Sequence, residues 1–125
     1  MQDITLETFP ANKGGTGWRL LDKDDKILAT SWVLPDEDGA LSAIEAVKTL
    51  LNDLNTANVI YFEKANGLWA WKLMDEYGNR MAYGWGHKNR GQAVSSVAKV
   101  AGWMQNGNHT LNKLGKNRIL GKPGD

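Results

Sequence analysis

The chain has 125 residues, no cysteine and a formal net charge of +1. That length suits one compact domain with a real hydrophobic core, and the missing thiols exclude disulfides, cysteine-ligated metals and cysteine nucleophiles. No apolar run approaches the ~20 residues of a bilayer helix, and the first residues have neither the basic nor the apolar region of a signal peptide, so a cytoplasmic protein with no membrane contact is expected.

In chain order, Ile4 to Phe9 reads as a first strand, closed by a hairpin at Gly14-Gly15-Thr16-Gly17. Trp18 to Leu21 reads as a second strand, Asp22 to Lys26 as a tight turn, and Ile27 to Trp32 as a third strand. Asp36-Glu37-Asp38 then precedes Leu41, Ile44, Val47, Leu50 and Leu51 at helical spacing. Acids at such a start cap free N–H groups and suit the helix dipole. The same order returns from Val59 to Glu63, with a turn at Lys64 to Gly67 and a strand from Leu68 to Leu73. In that strand Trp69, Trp71 and Leu73 share one face, while Ala70 and Lys72 share the other. A turn at Asp75 to Asn79 leads to a third strand from Arg80 to Trp85. Asn89 is placed to cap a helix carrying Val94, Val97, Val100, Trp103 and Met104.

A shift of 53 residues superimposes the two passages without a gap from Leu6/Val59 to Leu51/Met104. Phe9 falls on Phe62, Trp18 on Trp71, Leu20 on Leu73, Asp22 on Asp75, Trp32 on Trp85 and Val47 on Val100. The expected fold class is therefore α+β, with two tandem βββα repeats whose antiparallel sheets are each covered by a helix and packed as one compact domain. Residues 1–58 hold the first repeat and a linker, 59–104 the second, and 105–125 a basic, partly disordered tail. In that tail Leu111, Leu114, Ile119 and Leu120 are expected to dock a short strand or turn, and residues 121–125 to be disordered. The tryptophan pairs Trp18/Trp71 and Trp32/Trp85 are expected in the core.

The pattern Phe62-Glu63-Lys64-Ala65-Asn66-Gly67, Trp69-Ala70-Trp71-Lys72-Leu73 and Tyr77-Gly78-Asn79 resembles the YegP-like family. So does the helix motif Ala-x-x-x-Ile-x-x-Val, present as Ala40, Ile44, Val47 and as Ala93, Val97, Val100. The resemblance spans about residues 4–104. It implies a tandem βββα fold, with strand exchange between the units as one option, and implies little about activity, since the family is largely uncharacterised and offers no agreed catalytic residues to carry over. The chain departs from the pattern in lacking a glycine at Asp24-Asp25-Lys26 and in its basic tail. In layout alone it is similar to the purine-rich-element-binding proteins, single-strand binders built from strand-rich repeats.

Residues 1–58 carry ten acids and five bases, residues 59–125 ten bases and four acids. Such asymmetry steers an anionic partner to one end or pairs the halves with each other. No catalytic, metal or cofactor constellation is visible. Asp22, Asp24 and Lys26 begin like a calcium loop but lack its glycine and its terminal glutamate, where Val33 stands. The more informative set is aromatic and basic: Trp69, Tyr83, His87, Lys88 and Arg90, with Lys72 and Arg80 beside them. Trp69, Tyr83 and Arg80 replace Thr16, Thr30 and Ile27 of the first repeat. Aromatics for stacking beside cations for phosphates is how single-stranded nucleic acid is held. The expectation is a non-enzymatic binding module for single-stranded nucleic acid. The alternative is a protein-interaction or inhibitor module, or a homodimer, and a small-ligand pocket between the units is a third candidate.

Overall fold

The computed structural model describes residues 4–106 and 109–112. Its elements in order are β1 (Ile4–Pro10), β2 (Thr16–Leu21), β3 (Ile27–Thr30), α1 (Glu37–Leu51), β4 (Asn58–Glu63), β5 (Trp69–Met74), β6 (Arg80–His87), α2 (Arg90–Asn106) and β7 (His109–Asn112). Local chemistry sets most boundaries. Asp22 Oδ1 accepts the N–H groups of Asp24 and Lys26, and Asp75 Oδ1 those of Tyr77 and Asn79, so one Asx device closes both second turns. Each turn needs a left-handed residue. The second repeat supplies Gly78 (φ 83°), and the first uses Asp25 (φ 63°) where the sequence has no glycine. Asp36 caps α1 by accepting the Gly39 N–H at 2.8 Å. At α2, Asn89 Oδ1 accepts the Gln92 N–H, while Gln92 Oε1 reaches back past the cap to accept the N–H of Lys88.

The two three-stranded units join edge to edge in one seven-stranded sheet, ordered β4-β5-β6-β3-β2-β1-β7. Within each unit the strands form an antiparallel meander. Across the seam β3 meets β6 antiparallel at a single pair, Thr30 with Tyr83. These two residues are themselves equivalent under the repeat, so the internal two-fold passes between them. Among the described residues no strand is exchanged between units. The tail docks as β7, parallel to β1. The expected disorder of residues 121–125 and the docking of Leu114, Ile119 and Leu120 lie outside the described residues.

Both helices lie on one face of the sheet, which alone could not close a core from three strands. Trp18, Leu20 and Ala29 of the first unit and Trp71, Leu73 and Ala82 of the second meet Ile44, Val47 and Leu51 of α1 and Val97, Val100 and Met104 of α2. Trp18 and Trp71 are fully buried, as expected. Trp32 and Trp85 are not in the core: Trp32 is half-buried and Trp85 is 42% exposed. Alternation along β6 explains the difference. Ala82 and Gly84 face the helices, which turns Tyr83 away. The inward place beside Trp71 admits nothing larger, since a Cβ at Gly84 would lie 2.5 Å from Trp71 Nε1. Trp32 lies two residues past β3, in phase with the outward Thr30.

Candidate functional site

The sheet face away from the helices is built alike in both repeats but finished differently. In the first, Phe9 lies over Gly17, and the Arg19 guanidinium stacks on Phe9 at 4.5 Å. Arg19 Nε also donates to Glu7 Oε2 at 2.6 Å, and Glu7, Phe9 and Arg19 are all buried. The second repeat keeps the cation over the ring, with Lys72 Nζ 5.7 Å from the Phe62 centroid. It replaces the carboxylate by Ile60, which sits directly opposite Lys72. Lys72 therefore has no ion pair among the described residues. Ile60 and Phe62 are both exposed.

Tyr83, opposite Lys72 on the same face, is flanked by two rings. Its centroid lies 4.4 Å from that of Trp32 and 5.5 Å from that of Trp85, both tilted. The Arg80 guanidinium lies over Trp32 at 4.9 Å. Burial raises the Tyr83 hydroxyl above the usual tyrosine range, so it stays neutral. The result is an open strip of aromatic rings with Lys72 and Arg80 beside it, on a face whose residues in β4, β5 and β6 include no acid.

The structure divides the residues proposed from sequence. Lys72, Arg80 and Tyr83 share this open strip. Trp69 lies on the opposite face, half-buried and packed against the core. His87, Lys88 and Arg90 stand at the junction of β6 with α2. An extra residue in β6 explains the position of His87. Trp71 pairs with Gly84 but Trp69 pairs with His87, and Gly86 (φ 86°) absorbs the bulge. The first repeat makes the corresponding bridge between Thr16 and Leu34. Arg90 stacks over Tyr61 at 5.1 Å. Burial raises the Tyr61 hydroxyl, and the Arg90 charge opposes that shift. Sequence reasoning missed Phe62, Trp32 and Trp85 as surface groups. The signal available was the replacement of Glu7 by Ile60 across the repeat.

A cleft of about 620 Å³ opens at the seam. It lies where β3 and β6 diverge beyond their one pair, with α2 beneath. Lys26, Trp85, His87, Lys99 and Trp103 contribute to its lining. Burial and, secondarily, the nearby Lys26 charge hold His87 below the usual histidine value. Among the described residues no cluster of acids and histidines has a metal-binding arrangement.

No family model matches the sequence, and no curated protein matches it. Solved structures do match. The solution structure of yegP, a protein of unknown function from E. coli, superposes with a TM-score of 0.74 over 90% of this chain and 94% of that one, at 12% identity. A UPF0339 protein from Shewanella oneidensis gives a TM-score of 0.69 over 90% of this chain and 92% of its own, at 15% identity. This chain has the YegP-like fold. The resemblance carried by the strand and helix motifs is thus borne out at the level of architecture. At such identities the YegP-like fold transfers no residue role. The function therefore rests on what the open strip and the cleft of this chain are built from.

Proposed function

We propose that this protein is a non-enzymatic binding module that holds single-stranded nucleic acid on the open face of its second repeat. The observation that carries this reading is the loss of the carboxylate. The first repeat neutralises its stacked cation with Glu7, and the second leaves Lys72 beside Ile60, Phe62 and Tyr83 with no acid. Bases stack on Phe62, Tyr83 and Trp32, while Lys72 and Arg80 meet phosphates. The absence of cysteine suits a reducing compartment, and we place the activity in the cytoplasm. Among the described residues no helix is long and apolar enough to cross a membrane.

The test is a tryptophan-fluorescence titration with a short oligothymidine at roughly 20 mM salt, where electrostatic binding is strongest. Base–aromatic stacking is worth roughly 1–3 kcal/mol per base, so Tyr83→Ala weakens binding about tenfold or more. Lys72→Ala lowers the salt slope by about 0.7 for a single strand. Absence of binding at low salt ends this reading.

One observation favours a second reading, a protein-interaction module or homodimer. β4 ends the sheet, and its sequence Asn-Val-Ile-Tyr-Phe-Glu has neither the lysine nor the proline that commonly guards an edge. Pairing of β4 with another strand predicts a dimer in sedimentation that Ile60→Lys dissociates.

A further inference from the structure

We propose that the seam cleft is a binding site for a small aromatic anion, its charge matched by Lys26 and Lys99 and its ring set against Trp85 or Trp103. This goes beyond the open-face reading, because the cleft runs from Trp85, at the edge of the open strip, through the seam to Lys99 and Trp103 of α2 on the helix side of the sheet.

The position follows from topology. β3 and β6 pair only at Thr30 and Tyr83, so past that pair the strands separate and leave Ile27 and Leu28 facing Trp85 and His87 across a gap. The volume of about 620 Å³ falls in the range of small-molecule sites. Its chemistry is one-sided. Twelve residues line it, none of them acidic, and neither lysine has an ion pair among the described residues. His87 Nε2 is buried there without a hydrogen-bond partner in the described structure.

The duplication shows that this lining is not a requirement of the fold. The first repeat has Leu34, Ala43, Ala46 and Leu50 where the second has His87, Ser96, Lys99 and Trp103. Leu34, Ala43 and Leu50 pack against the core, so apolar residues satisfy the architecture at these places. The second repeat has donors, a cation and an indole at these places, lining one cleft with Lys26 from the other unit, and Trp103 still packs against the core as Leu50 does. A merely solvated surface has no need of one sign of charge. A cleft with two lysines, a histidine and two indoles matches a ligand that joins a phosphate or carboxylate to a flat ring.

Phenyl phosphate and benzoate are the probes, followed by NMR on the full chain. Saturable shifts of the Trp85 and Trp103 indole N–H signals are expected for at least one of them. Inorganic phosphate and phenol should each bind at least tenfold more weakly. A bound anion should also raise the His87 pKa, read in the same NMR titration. Lys26→Ala and Lys99→Ala should each weaken binding about tenfold, and Lys64→Ala, in an exposed turn, should not. All three lysines are exposed, so the substitutions leave the core untouched. No saturation by about 10 mM of either probe overturns the proposal. So does unchanged affinity in Lys99→Ala. Oligothymidine binding by Lys99→Ala provides the separate arm. Its persistence when the aromatic anion is lost makes the cleft a site of its own, and loss of both overturns that assignment.

Discussion

Replacing Gly84 by alanine tests the reason Trp85 and Tyr83 are displayed outward. Gly84 does not need a positive φ, so on backbone grounds alone alanine would stabilise by about 0.4–1 kcal/mol. The packing argument predicts the opposite. The new Cβ would lie 2.5 Å from Trp71 Nε1, 2.7 Å from Cε2 and 2.9 Å from Cζ2. Trp71 is fully buried on the central strand of its unit and has no room to retreat. Overpacking of this kind costs about 1–3 kcal/mol, and a mid-range cost of about 2 kcal/mol set against the backbone gain leaves a net loss of about 1–2 kcal/mol. With an unfolding entropy of about 2.1 cal/mol/K per residue, a chain of 125 residues loses about 4 °C of Tm per kcal/mol, or about 4–8 °C here. The assay is thermal and urea unfolding of wild type, Gly84→Ala, Trp71→Phe and the double variant. Phenylalanine removes the indole edge that meets the new methyl, together with a buried N–H that has no acceptor in the described structure. In that background Gly84→Ala should cost less than about 0.5 kcal/mol, a coupling of about 1 kcal/mol or more. Equal costs in both backgrounds, or a Gly84→Ala protein as stable as wild type, would refute the reasoning.

Other expectations follow from single contacts. Arg19→Met leaves the Glu7 carboxylate buried without its guanidinium and should cost about 3–5 kcal/mol by urea unfolding. The double replacement Glu7→Leu/Arg19→Met should be much milder, because no uncompensated charge remains. Gly78→Ala meets no neighbouring atom but forces a side chain into φ 83°, so it should cost about 1–2 kcal/mol. The Asp75 carboxyl is held below the ordinary range first by the Asn79 side-chain amide, then by the backbone N–H groups of Asn79, Tyr77 and Gly78. Its contribution is present above about pH 3.9 and lost as pH falls through the folded value. Asn79→Ala should move the Asp75 carboxyl titration upward, as read by NMR. His87 titrates below about 6.5, so the unfolded chain takes up its proton first and stability falls as pH drops through that value. His87→Gln should flatten this part of the curve in urea unfolding between about pH 7.5 and 5.5.

Much of this molecule was legible from local sequence. The 53-residue repeat, the βββα order, the Asp36 and Asn89 caps and the turn at Gly78-Asn79 all depend on neighbours within a few residues. Composition and periodicity report such features directly. The pairing of Trp18 with Trp71 also marked the core correctly, because both sit at inward positions of central strands. Trp32 with Trp85 looked the same in sequence and behaves otherwise. Only the tertiary structure decides which parity of the third strand faces the helices. The crowding of Trp71 against Gly84 settles it. The bulge at Gly86 then carries His87 to the opposite side from Tyr83, which no spacing rule announces. The union of the two meanders through one residue pair, and the cleft left where they part, are long-range outcomes of the same kind. Local periodicity specifies strands and helices. The meeting of two edges, and the residues left exposed or enclosed around them, depends on contacts between segments 53 residues apart.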